Sequence, residues 1–392
     1  MVNLAAGTFF LLSYSRHGLG LGAYHIDLDV YRIGGRAWLS GRDLYGQLPA
    51  TQVGARLPFT YPPVAAFLLS PFALLPMNVA ATVLTLGTLA LLPVVLRVFL
   101  CRLGDPADPS VWLLAWLLPP ALFLEPVRDT LGFGQVNVVL MALVSLDCLA
   151  ETPRWPRGAL TGLAAAVKLT PAAFVLFFLV RRDGRAACTT ALSFAAVTAL
   201  GFVVAERDSL RYWTHIVFQV GRAGGPQSAS NQSILGVLAR AGLDPHSPAV
   251  TAVWLALSAA VAVLAWRGMQ LALAASQACL ALCLNAFAAL LTSPISWSHH
   301  WVWCVPALLT FTVLGARHRS RSLLAAACTG LVIFASAPQF WFSRGDSAGL
   351  ARAIIGSPYV LLATIILVRG AVSQGRLNHV GDTQCRDLPA RL

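Results

Sequence analysis

The stretch at 77–96, MNVAATVLTLGTLALLPVVL, holds no Asp, Glu, Lys or Arg over twenty positions. Nothing else in the chain constrains its fold as strongly. About twenty apolar residues wound as a helix cross the hydrocarbon of a bilayer, and similar runs recur along the chain. With 57% hydrophobic and 11% charged residues and a mean hydropathy of +0.70, a water-soluble globule is excluded. The alternating pattern of a barrel strand is absent, so the spans are helical. The fold class is an all-α polytopic membrane protein.

Apolar runs place ten spans near 3–22, 77–101, 111–125, 136–150, 186–205, 249–266, 271–292, 301–316, 322–338 and 354–369. The N-terminal run lacks a basic leader and a small-residue cleavage site, so it reads as a short first span. One further run, 159–180, is different. Arg154 and Arg157 precede it, and Arg181, Arg182 and Arg185 follow. By the positive-inside rule both of its ends are cytoplasmic. Within it, VKLTPAAF (167–174) brings together Lys168, Thr170 and Pro171, and proline removes a backbone donor and bends the chain. The expectation is a helix, a break near 169–171 and a second helix returning to the same side. A broken element of that kind is tolerated in a membrane only where protein or a wet cavity surrounds it.

The net charge of +12 does not indicate nucleic acid. Lys and Arg gather in short connections such as RRDGR (181–185) and RHRSR (317–321), which mark cytoplasmic loops. Residues 1–370 are expected to form one transmembrane domain, and 371–392 a cytoplasmic tail. With 159–180 re-entrant, ten spans leave both termini inside, and segments 24–63, 125–135, 206–248, 292–300 and 337–353 emerge on the extracytoplasmic face. The eight cysteines include no C-x-x-C pair, so neither a disulfide framework nor a zinc site is expected.

Apart from Lys168, the chemistry-bearing residues fall in those emergent segments. HIDLDVYRIGGRAWLSGRDLYG (25–46) places Val30, Ile33, Ala37 and Trp38 at helical spacing, as in an amphipathic helix lying on a membrane surface. Asp27 and Asp29 sit at its start, where a carboxylate can also serve simply as a cap. FTYPPVAAFLLSPF (59–72) begins extended at Pro62 and Pro63; its Tyr61 suits either a sugar or lipid site or the interfacial aromatic belt. EPVRDTLGFGQVNVVLM (125–141) supplies Arg128, Gln135 and Asn137; its amides can read sugar hydroxyls or bond neighbouring helices. SPISWSHHWVW (293–303) offers His299, His300 and three tryptophans, the latter expected at the interface. Adjacent histidines on a helix point about 100° apart, which favours contact with a phosphate over a shared metal ion. Lys168 at mid-membrane costs about 3 kcal/mol unless paired or hydrated, so it either snorkels or faces an anion. NQSI (231–234) matches the glycosylation pattern but opens a short apolar helix, and it is not read as a glycan site.

Taken together, IDLDVYRIGGRAWLSGRDLYG, LPFTYPPVAAFLLSPFA, FGQVNVVLM, WPRGALTGLAAAVKLTPAAF, NQSILGVLAR and SPISWSHHWVW resemble, in order, the polyprenol-phosphate-mannose-dependent mannosyltransferases of actinobacteria. That is glycosyltransferase family 87, with a GT-C type fold of about ten spans plus re-entrant and interfacial helices. The likeness is stronger to members that add α-(1→2) branches to lipomannan and lipoarabinomannan than to those acting on phosphatidylinositol mannosides. It implies an inverting transfer of mannose from polyprenyl phosphomannose to the 2-hydroxyl of a mannan or lipoglycan acceptor. The transfer takes place on the extracytoplasmic face of the plasma membrane. The resemblance makes Asp27 the general base, demotes Asp29, and carries His299 over more securely than His300. Tyr31, Arg32, Tyr61, Arg128, Gln135, Asn137, Lys168, Asn231, Gln232, Trp297 and His300 are the expected substrate contacts.

Mannose arrives already activated, so no nucleotide and no cofactor is expected, nor an obligatory metal. The expected partners are the donor lipid, the acceptor and membrane lipids, not nucleic acid. Two other readings share part of this pattern: arabinosyl transfer from a related lipid, and a lipid or sugar transporter suggested by the broken helix and Lys168. Against the transporter, the chain shows no internal repeat.

Overall fold

A computed structural model describes residues 24–104, 109–341 and 349–372. The first expected span and the C-terminal tail beyond 372 lie outside the described residues. The described residues are helical, with one isolated bridge between Asn231 and Trp297. In chain order the helices are α1 (Ile26–Leu39), α2 (Pro63–Leu74), α3 (Met77–Leu103), α4 (Val111–Phe123), α5 (Glu125–Phe133), α6 (Asn137–Leu149), α7 (Ala159–Val167), α8 (Val175–Val180), α9 (Gly184–Val204), α10 (Glu206–Thr214), α11 (Ile234–Arg240), α12 (Pro248–Ala274), α13 (Ala278–Thr292), α14 (Cys304–Arg317), α15 (Arg321–Ser336), α16 (Leu350–Ile355) and α17 (Pro358–Val372). Short 3-10 segments at Thr170–Phe174 and Ser298–Trp303 carry two of the chemistry-bearing stretches.

Three helices, α3, α9 and α12, are each long and apolar enough to cross a bilayer; α4 and α5 make a fourth if joined across their 79° bend. The other apolar helices have 10–17 residues, so helix length alone accounts for three or four of the ten expected spans. The bend at Leu124 has a local cause. Pro119 and Pro120 lie inside α4 and proline again near the start of α5, and each lacks the donor that would continue the helix. Membrane character shows on the outside. Trp112 is 75% exposed, Val203 82% and Val263 68%, side chains that a water-soluble surface does not present in such belts.

The element at 159–180 is a hairpin. Helix α7 stops at Val167, Lys168 is extended (φ −145°, ψ 126°), and the 3-10 turn Thr170–Phe174 leads into α8. Arg157 before it and Arg181 after it both donate to the Cys148 carbonyl, at 3.4 and 3.3 Å. Its two ends therefore meet at the C-terminal end of α6. Its apex meets the other end, where Lys168 Nζ donates to Asn137 Oδ1 at 3.0 Å, about 17 Å from Cys148 along the helix. Asp147, fully buried, pins the hairpin's start by accepting from Trp155 Nε1, the Gly158 and Thr161 amides, and Thr161 Oγ1 at 2.7–3.0 Å.

Helix α1 forms where expected but is not a surface helix. Leu28 through Gly35 are all buried, because Phe59 and α2 cover one flank and the 134–136 turn the other. Both contacts need glycine. A Cβ on Gly34 would fall 2.4 Å from the Phe59 ring, and one on Gly134 would fall 2.8 and 2.9 Å from the Cβ atoms of His25 and Leu28. Gly134 also has φ +70°, a region open to glycine at little strain.

Candidate active site

Asp27 lies in the first turn of α1, where the helix dipole favours a carboxylate. It is not the cap, since His25 holds that position. Asp27 Oδ2 accepts from Gln135 Nε2 at 2.8 Å. Gln135 Oε1 in turn accepts from Tyr31 Oη at 2.7 Å and Tyr61 Oη at 3.0 Å, with the two phenols 2.8 Å apart. The amide can sit only this way round, because an ionised carboxylate accepts and must face the NH2. Asp27 is half-buried. Burial raises its pKa, offset in part by the Gln135 bond and by the charge of Lys168, which makes the carboxylate a stronger base than a solvated one.

Lys168 stands beside this cluster, its Nζ 5.3 Å from the centre of the Tyr61 ring. It also meets His300 Nε2 at 3.3 Å, so that nitrogen is the acceptor and the ring is neutral. Burial pushes His299 down to about 3 and His300 well below the ordinary imidazole value; the charge of Lys168 adds to both. Asn137 ties the parts together. Its Oδ1 receives Lys168 while its Nδ2 donates to the His299 carbonyl at 2.8 Å. Thr130 Oγ1 donates to the same carbonyl at 2.7 Å. From Lys168, Asn137 and His300 a crevice runs between α6, α13 and the hairpin apex, walled by Leu140, Met141, Val144, Phe174, Leu290 and Trp303. A cation at one end and an apolar trough behind it suit an amphiphile with an anionic head.

The structure thus gathers Asp27, Tyr31, Tyr61, Gln135, Asn137, Lys168 and His300 from five separate stretches. Other expected contacts are engaged elsewhere. Arg32 donates to the Phe72 and Leu75 carbonyls at 3.1 and 2.8 Å and pairs with Asp29 at 3.7 Å, fastening α1 to the end of α2. Asn231 is fully buried and bonded to Pro226, Pro294 and Ser296; Gln232 bridges Ala229, Gly356 and Tyr359. Both spend their amides on backbone and hold loops together. Among the described residues no hydrogen bond links Arg128 to Asp27 or Lys168; Arg128 lies beside Asp129. The ring of Trp297 covers Gly224. The His299 ring packs on Phe133 and His300, at 5.0 and 4.7 Å between centroids, so only its carbonyl joins the network. Trp301 and Trp303 are core residues rather than an interfacial belt. Trp301 is fully buried, and Trp303 stacks on Phe174.

Asp29 accepts from the Gln52 amide at 2.8 Å and from Tyr24 Oη at 3.2 Å, a structural role consistent with its demotion. Two partners were missed. Thr130 lay inside a stretch already singled out, but a lone threonine carries no sequence signal. Asp147 did carry one, as an isolated acid in an apolar run.

A glycosyltransferase family 87 model matches residues 59–294. The chain belongs to glycosyltransferase family 87. The matched segment holds Tyr61, Gln135, Asn137 and Lys168, and begins after α1. Two relatives named polyprenol-phosphate-mannose-dependent alpha-(1-2)-phosphatidylinositol mannoside mannosyltransferase match more of the chain. The one from Mycolicibacterium smegmatis is 42% identical over 95% of this chain and 89% of its own. The one from Mycobacterium tuberculosis is 42% identical over 90% and 86%. A relative from M. smegmatis named for phosphatidylinositol pentamannoside is 38% identical over 74% and 69%. No solved structure matches.

Proposed function

We propose that this family 87 glycosyltransferase moves mannose from polyprenyl phosphomannose to the 2-hydroxyl of a mannoside acceptor, with inversion. The observation that carries the reading is the placement of Asp27 and Lys168 around one Gln135 and Tyr61 cluster. It joins a carboxylate and a cation through one network of polar side chains. Asp27 takes the proton of the incoming hydroxyl as its oxygen attacks the anomeric carbon. The bond from that carbon to the phosphate oxygen breaks, and the charge gathering on the phosphate is met by Lys168 and by a neutral His300. Tyr31 and Tyr61, through Gln135, hold the carboxylate in position. The isoprenoid follows the trough of Leu140, Met141 and Phe174. Because the leaving phosphate is already attached and its cation is in the chain, the transfer requires no nucleotide, cofactor or metal; turnover that survives exhaustive chelation is the expected result.

Ten spans in a plasma membrane complete the reading, with the shorter helices crossing as packed segments. Arg157 and Arg181 mark one end of α6, and the positive-inside rule assigns that end to the cytoplasm. The Asp27 and Lys168 end then faces outward. For the acceptor, the names of the relatives favour a phosphatidylinositol mannoside, while the motif likeness favours α-(1→2) branching of lipomannan and lipoarabinomannan. Linkage analysis of a deletion strain separates them: loss of single α-(1→2) side branches supports branching, and loss of longer phosphatidylinositol mannosides supports the other. Membranes carrying Asp27→Asn should transfer about 10²–10⁴ times more slowly, the usual contribution of a general base. Unchanged transfer would remove Asp27 from the mechanism.

A further inference from the structure

A second cavity, about 430 Å³, opens on the other flank of α1. Asp29, Ile33, Arg36 and Ala37 line it from the helix, and Arg42, Asp43, Gln47 and Gln52 from the loop that follows. Asp27 and Asp29 are two positions apart, about 200° around a helix. The cavity therefore shares α1 with the Asp27 cluster but faces away from it. Arg36 is nine residues further along, about 14 Å of helical rise.

The charges in this cavity do not cancel. Asp29 is taken up by Arg32, Tyr24 and the Gln52 amide, and Asp43 by Arg211 on α10. Among the described residues neither the Arg36 nor the Arg42 side chain has a hydrogen-bond or ion-pair partner, and both are exposed to the cavity. Two guanidiniums free to bond, with two amides beside them, match a phosphodiester that carries hydroxylated groups.

We infer that this cavity is a phosphodiester subsite for the acceptor, with Arg36 and Arg42 as the anion ligands and Gln47 and Gln52 facing the adjoining polyol. The inference rests on the mannosyl-transfer reading and adds where the chain holds an anionic glycolipid acceptor, whose phosphodiester lies a few sugar units from the reacting hydroxyl. The donor phosphate stays at Lys168, on the opposite flank of α1.

The test compares two acceptors with purified enzyme in zwitterionic vesicles: a phosphatidylinositol mannoside, and a neutral alkyl oligomannoside with the same terminal mannose. Arg36→Gln with Arg42→Gln should raise KM for the phosphodiester acceptor at least tenfold, the loss expected when charge-assisted hydrogen bonds are removed. Its kcat should hold, as should KM for the donor and for the neutral acceptor, which also reports that the variant folds. Arg36→Lys with Arg42→Lys should recover part of the affinity. Equal loss on both acceptors overturns the inference, as does a raised donor KM. So does an effect that depends only on adding anionic lipid to the vesicles, which would make the cavity a bilayer contact. Direct binding of the phosphatidylinositol mannoside to the Asp27→Asn protein, with and without the arginine substitutions, needs no turnover. A wild-type enzyme that transfers to neither acceptor would sink the mannosyl-transfer reading, while that binding measurement still decides on the cavity.

Discussion

Replacing Gln135 with Leu isolates the positioning of the base from the base itself. Gln135 Nε2 donates to Asp27 at 2.8 Å, and its Oε1 takes both phenols. A hydrogen bond to a charged group contributes about 1.5–3 kcal/mol; Asp27 is partly exposed, so the low end applies. Loss of a bond that favours the ionised carboxylate raises the Asp27 pKa further. The base works only when ionised, so activity falls as pH drops through that pKa. The acid limb of kcat/KM should therefore move to higher pH in Gln135→Leu. In Gln135→Glu a second carboxylate beside Asp27 should move it further. The assay is transfer from labelled polyprenyl phosphomannose across a pH series, with gel filtration to confirm folded protein. A lower plateau with an unmoved acid limb would mean that Gln135 only props the tyrosines and that Asp27 does not take the proton.

Three other outcomes follow from the geometry. Lys168→Met should cut kcat by about 10²-fold or more, the scale for losing a group that meets developing charge, with Lys168→Arg retaining part; steady-state kinetics decides. His300→Gln should slow transfer more than His299→Gln, because only the His300 ring reaches Lys168; the reverse order would return the donor contact to His299. Gly134→Ala should cost about 1–3 kcal/mol through its positive φ and the crowding of His25 and Leu28, read as a lowered unfolding temperature in detergent.

Much of the fold was legible because apolar run length and flanking charge are local signals. The hairpin is the clearest case. Pro171, with arginines at both ends of the run, predicted a break and a return, and the shared Cys148 carbonyl shows it. Helix α1 was legible as a helix but not as a buried one, since its covering depends on Gly34 and Gly134 admitting Phe59 and His25. The tryptophans misled for the same reason. An indole in an emergent segment suits the interface or the core equally well, and Trp301 went to the core because Phe287, Phe334 and Tyr359 surround it.

The sequence by itself determined that this chain is helical and apolar enough for a membrane, with Asp27 at the start of one helix and Lys168 at the break of a returning hairpin. Hydropathy, proline and charge placement act over a few residues and need no knowledge of distant neighbours. Only the tertiary structure decided which polar groups serve the site. Asn231, Gln232 and Arg32 look as chemical in one dimension as Gln135 and Asn137, yet backbone groups engage the first three while the last two face Asp27 and Lys168. A buried polar side chain must find partners, and which partners are within reach depends on how distant helices pack.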